Sequence, residues 1–163
     1  RAEVGRFFAQ DRAPGLVIQV LSFSYRRGLP HGADMVFDCR FLRNPHWDET
    51  LRPMDGRSAQ VQDYVATDTR FDHFRGHVDD MLDLLLPAFR EEGKSHLTLA
   101  FGCTGGRHRS VSLAEITATR LAEQGWQVSK RHRDVEKDVD KDRDQGALDA
   151  PMGSTGDGEA NQT

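Results

Sequence analysis

Apolar positions along the chain follow two periodicities. Leu16 to Tyr25 (LVIQVLSFSY) is a run of β-branched, aliphatic and aromatic side chains and reads as a buried strand. Asp34 to Leu42 (DMVFDCRFL) alternates well enough for a second, His96 to Gly102 (HLTLAFG) predicts a third, and Trp126 to Lys130 adds a last. Between them the period lengthens. Phe71, Phe74, Val78, Met81, Leu82, Leu85 and Phe89 recur at helical spacing, with Pro87 placed to kink the last turn and Glu91-Glu92-Gly93 to end it. Ser58 is placed to cap a short helix to Ala66, and Val111, Ala114, Ala118 and Leu121 mark one face of a helix ending near Gly125. Residues 1–10 predict a marginal helix around Val4, Phe7 and Phe8, ahead of the breaker Pro14-Gly15. Strands alternating with helices give the fold class: α/β, a single-domain sandwich with a small, largely parallel sheet flanked by helices. Strand order is not encoded in such a pattern.

The loops change this picture in two places. Arg26-Arg27-Gly28-Leu29-Pro30-His31-Gly32 is a basic connection, and Arg43 to Arg57 carries Asn44-Pro45, Pro53 and Gly56 with Trp47, a composition suited to an ordered loop over a site. Charge divides unevenly. The formal net charge is −4, yet residues 134–163 hold nine acidic against three basic side chains, leaving the preceding 133 residues mildly basic with all seven histidines. The resulting organisation is residues 1–14 as a helix or linker, 15–133 as the domain, and 134–163 as an acidic disordered tail. Two cysteines without disulfide-framework or zinc spacing favour a reducing cytoplasm, and no run of 18 apolar residues predicts a membrane span. The first residue is Arg1 rather than Met, as expected of a fragment of a longer polypeptide.

Candidate chemistry concentrates at Cys103-Thr104-Gly105-Gly106-Arg107-His108-Arg109-Ser110. A turn between a strand's carboxyl end and a helix N-terminus gathers free N–H groups and the positive helix end, which attract an oxyanion. Gly105 and Gly106 permit the bends and close approach of a ligand, Arg107 and Arg109 supply guanidinium groups suited to phosphate oxygens, and Thr104 and Ser110 supply hydroxyls. Cysteine followed by five residues and Arg-Ser is also the pattern of cysteine-dependent phosphatases. In that alternative Cys103 is the nucleophile, Arg109 holds the phosphoryl group, and Asp48 or Asp55 is the general acid. Gly102 stands where those enzymes usually carry His. A purely structural turn, with Cys103 as a small buried residue, is the third reading. His73 and His77 share a helix face without the Glu of an H-E-x-x-H site, and no metal site is expected.

Five segments together carry a family resemblance: Leu21 to Gly28 (LSFSYRRG), Val36 to Leu42 (VFDCRFL), Asn44 to Asp48 (NPHWD), Leu51 to Met54 (LRPM) and Gly102 to Ser110 (GCTGGRHRS). Over about residues 15–137 the chain resembles the C-terminal domain of the RapZ/YvcJ family of RNase adapter proteins. The resemblance implies a regulatory, non-catalytic domain that senses glucosamine-6-phosphate, with His46, Thr104, Gly105 and Arg109 in the pocket and Asp38, Arg40 and Cys103 nearby. Gly106 and Ser110 join this ligand-binding set from the loop chemistry. It also implies small regulatory RNA and an RNase as partners, RNA contacts at Arg26, Arg27, Arg52 and Arg107, extension of that surface over Lys130 to Arg133, and a homo-oligomer. ATP or GTP would belong to an upstream Walker-loop domain, since this sequence has no G-x-x-x-x-G-K-[ST] and no cofactor is expected in the domain itself. The acidic tail departs from the basic C-terminal end of the RNA-binding family members.

Overall fold

A computed structural model describes residues 15–135 of the chain. The predicted helix at residues 1–10 lies outside the described residues, as does the tail from residue 136 onward. Four strands, β1 (Val17–Ser24), β2 (Met35–Asp38), β3 (His96–Cys103) and β4 (Gln127–His132), form one sheet in the order β2-β3-β1-β4. All three pairings are parallel. Three helices, α1 (Ala59–Ala66), α2 (Phe71–Glu92) and α3 (Arg109–Glu123), supply the crossovers after β2 and β3.

Alternation along the strands decides which side the helices take. Ile18 and Val20 of β1 and Leu97, Leu99 and Phe101 of β3 share one core with Val61 and Val65 of α1, Val78, Leu82 and Leu86 of α2, and Leu113, Ala114, Ala118 and Leu121 of α3. Since residues two apart on a strand share a face, all three helices cover the same side of the sheet. On the other face Leu21, Phe23 and Ala100 form a smaller cluster with Tyr25 and Ala33. The nearly continuous apolar run of β1 follows from having both faces occupied. No helix among the described residues is long and apolar enough to cross a membrane.

Several expectations are corrected locally. β2 stops at Asp38 rather than Leu42, because the Cys39 N–H still reaches the Gly102 carbonyl but the next carbonyls, of Arg40 and Leu42, turn to the buried guanidinium of Arg109. α2 runs through Pro87 to a left-handed Gly93 and buries Leu86, whereas Met81 is 45% exposed and lies off the core stripe. Ser58 occupies the cap position of α1, but its hydroxyl donates to Gln60 Oε1 instead of accepting a helical N–H. β4 extends two residues past Lys130, and the folded body continues through Asp134 and Val135, both buried, beyond the boundary at 133.

Candidate functional site at the carboxyl edge of the sheet

β1 and β3 are neighbours, with Ser24 opposite Cys103 at their carboxyl ends. Ligands of open parallel sheets bind beyond this edge. Here it opens into a cavity of about 530 Å³, lined by Ser24, Arg26 and Arg27 after β1, by Asn44, His46 and Trp47 of the long loop, and by Cys103, Thr104, Gly105, Arg107, His108 and Arg109 at the start of α3. Three loops distant in sequence thus meet at one place. From the two sets expected separately, His46, Cys103, Thr104, Gly105 and Arg109 for sugar phosphate and Arg26, Arg27 and Arg107 for RNA meet in this lining, whereas Arg52 Nε donates to the His46 carbonyl.

Two features suit the cavity to an anion. Among the described residues, none of the backbone N–H groups of Thr104 to His108 donates to another backbone carbonyl, so they remain available at the helix start. Among the described residues four arginines line the cavity and no carboxylate does. Arg109 is 6% exposed, donates through Nη1 to the Arg40 and Leu42 carbonyls, and points Nη2 toward the Thr104 hydroxyl. Arg107 donates to the carbonyls of Met54 (3.1 Å) and Pro53 (2.5 Å). These acceptors are neutral. They position the guanidinium groups without a direct carboxylate contact, although Asp38 and Asp55 lie close enough to feel the charges of Arg109 and Arg107.

The glycines divide the work. Gly106 has φ +66°, and a Cβ there would lie 2.7 Å from the Ser24 nitrogen, so this residue lets the loop press against the end of β1. At Gly105 a Cβ would meet nothing within 4 Å, which leaves space over the loop for a ligand. Asn44 accepts the His46 N–H, buried Pro45 opens the 3-10 turn Pro45–Trp47, and the turn presents an indole 77% exposed at the mouth. Burial pushes the His108 imidazole below its ordinary value, while its Nε2 meets the Arg52 carbonyl at 3.1 Å.

Other sequence candidates fall elsewhere. Asp38 and Arg40 pair with each other at 2.6 Å, and Arg40 lies over the Tyr25 ring, outside the lining; Arg40 contributes its carbonyl. Gly106 and Ser110 support the loop from behind, Ser110 through its Oγ, which accepts from Cys103 Sγ at 3.1 Å. For the phosphatase alternative, Asp48 Oδ1 accepts the N–H groups of Thr50 and Leu51, Asp55 binds Arg57, and neither lines the cavity. The missing histidine has a steric cause: a Cβ at Gly102 would lie 2.4 Å from the Phe23 ring and 2.6 Å from that of Tyr25. The basic extension over Lys130 to Arg133 is largely consumed: Lys130 pairs with Glu115, buried His132 bridges Ser22 and Glu115, and Arg133 pairs with Asp134. Among the described residues no group of three His, Cys, Asp or Glu side chains is placed to hold a metal. Sequence reasoning does not assign Ser24, Asn44 or Trp47 to the ligand site. The Asn-Pro-x-Trp turn was the one available signal.

The class defined by this geometry is a parallel α/β domain with an arginine-lined cavity at the carboxyl edge of its sheet. Residues 16–136 match the family described as the RapZ C-terminal domain, and the chain belongs to that family. It is similar to proteins named Nucleotide-binding protein: 68% identical over 99% of this chain and 52% of the relative from Jannaschia sp. (strain CCS1), and 57% identical over 84% of this chain and 46% of that from Dinoroseobacter shibae. The chain spans about half the length of these curated relatives.

Proposed function

We propose that this domain is a receptor for a phosphorylated small molecule, with glucosamine-6-phosphate as the ligand the family resemblance favours. The observation that carries the reading is the cavity itself, lined by four arginines and by loop N–H groups that, among the described residues, donate to no backbone carbonyl. Its volume suits a hexose phosphate, and the Trp47 indole offers an apolar face to the ring. A thiol committed to Ser110, and a lining that among the described residues holds no carboxylic acid, favour recognition over phosphoryl transfer. Nucleotide binding, which the relatives carry in their names, we assign to the half of those proteins that this chain does not cover. Small RNA and an RNase as partners, and a homo-oligomeric cytoplasmic protein, complete the proposal. Arg26, Arg27 and Arg107 would offer an RNA phosphate the same cavity that takes the small molecule.

Calorimetric titration of the chain with glucosamine-6-phosphate, inorganic phosphate and glucosamine tests the receptor reading. Saturable binding of the first two and none of the third is the expected result. A folded protein that binds neither phosphate refutes it. Turnover of an aryl phosphate that disappears in Cys103→Ser would replace it with the phosphatase alternative.

A further inference from the structure

The end of β1 carries a support that the receptor reading does not use. β4 pairs with β1 only as far as Ser22, opposite His132, so among the described residues Ser24 has no strand partner on that side. Side chains take its place. The Asp134 carboxylate, fully buried, accepts the Ser24 N–H at 2.5 Å. The Arg133 guanidinium donates to the Ser24 carbonyl at 3.4 Å and to the Gly28 carbonyl at 2.7 Å, lies over the Phe23 ring, and pairs with Asp134 at 3.0 Å. One ion pair therefore satisfies both main-chain groups of Ser24 as a neighbouring strand would.

Ser24 passes this constraint to the site. Its hydroxyl donates to the Thr104 carbonyl at 2.6 Å, and Gly106 packs directly on its nitrogen. The same guanidinium ties down Gly28, at the far end of the Tyr25–Arg27 turn that brings Arg26 and Arg27 to the cavity. An anion nest works only if its N–H groups converge, and convergence depends on what holds the loop from behind. We propose that Arg133 and Asp134 are positioning residues for the anion cavity: a side-chain latch that stands in for a strand at Ser24 and through it sets the Thr104 to Arg107 loop. The proposal rests on the receptor reading for its effect on affinity, but not for its effect on the loop.

The test compares Asp134→Ala, Asp134→Asn and Arg133→Gln in the full chain, by calorimetry with glucosamine-6-phosphate and by amide NMR without ligand. Asparagine can still accept the Ser24 N–H and alanine cannot. Asp134→Ala is expected to shift or broaden the Ser24 and Thr104 to Arg107 amides and to weaken binding about tenfold, the size of one lost hydrogen-bonded constraint. Asp134→Asn should recover most of that affinity, and Arg133→Gln should weaken binding roughly threefold while keeping the Ser24 N–H bonded. A merely structural pair would lower thermal stability in all three without this ranking. Folded variants with wild-type affinity and unchanged loop amides overturn the latch. If Asp134→Ala does not fold, Arg133→Gln decides, and unchanged loop amides in it overturn the proposal. Should the wild-type chain bind no phosphate, the receptor reading fails by itself, and the ligand-free amides alone judge the latch.

Discussion

Two clusters of arginine in this domain meet opposite fates. At the carboxyl edge of the sheet Arg107 and Arg109 donate to main-chain carbonyls of Pro53, Met54, Arg40 and Leu42. Across the helical layer a second hollow of about 340 Å³ is lined by Arg75, Arg120, Glu115 and Glu123, with Gln62, Ile116 and Thr119. There Arg120 pairs with Asp79 and Asp83, Arg75 with Asp79, and Lys130 and His132 share Glu115. The same residue type makes fixed positive potential in one place and a neutral scaffold in the other. What differs is the charge of the acceptor, because a carbonyl orients a guanidinium without cancelling its charge.

The comparison can be broken most severely at Arg109. Arg109→Ala strands two carbonyls in the protein interior and removes the cation. Chemical denaturation should register a loss of about 2–4 kcal/mol, with phosphate binding abolished in calorimetry. Next comes Gly105→Asp. The space above Gly105 admits the side chain, so stability should change by less than about 1 kcal/mol, yet a carboxylate among the arginines should weaken phosphate binding at least thirtyfold, on the order of 2 kcal/mol. Binding that survived this change would place the anion elsewhere.

Acid acts where a carboxylate holds a cation, both outside the two clusters and within the second. Arg70 beside Asp68 holds that carboxyl down to about 2, against an ordinary value near 3.8. Because the folded value is the lower one, the stabilisation is present above about pH 4 and is lost as pH falls toward 2. Asp68→Asn should therefore cost about 1–2 kcal/mol at pH 7 and little at pH 2, measured by denaturation at both. Glu115, also held low once Lys130 and His132 outweigh its burial, follows the same sign. Within the described residues, carbonyl-bound Arg107 and Arg109 have no carboxylate among their hydrogen-bond acceptors. The smallest effect is expected at Arg120: Arg120→Ala should lower stability by about 1 kcal/mol and leave phosphate affinity within about twofold. A larger change in affinity would mean that the paired cluster also contributes to the cavity's potential.

Much of the fold was legible because its elements are local. The run from Leu16 to Tyr25, the 3.6-residue stripe of α2 and the strand-loop-helix at Cys103 each declare themselves within some twenty residues. The failures share one cause. β2 was overextended because the alternation of Asp34 to Leu42 could not reveal that Arg109, some seventy positions later, would claim the carbonyls of Arg40 and Leu42. Arg133 looked like part of a basic surface because its partners Ser24 and Gly28 lie more than a hundred positions away. Asp38 and Arg40, expected near the ligand, pair with one another and lie outside the cavity lining.

By itself the sequence determined the α/β class, the helix faces, the family membership and the glycine-arginine loop, since periodicity and motif are properties of neighbouring residues. Tertiary structure alone decided the strand order, the meeting of the loops at 24–28, 44–47 and 103–109, and the acceptor each arginine would find. That last choice settles whether a cation becomes potential or scaffold. It depends on which carbonyl or carboxylate the fold brings within hydrogen-bonding distance, and no local pattern of residues encodes such a distance.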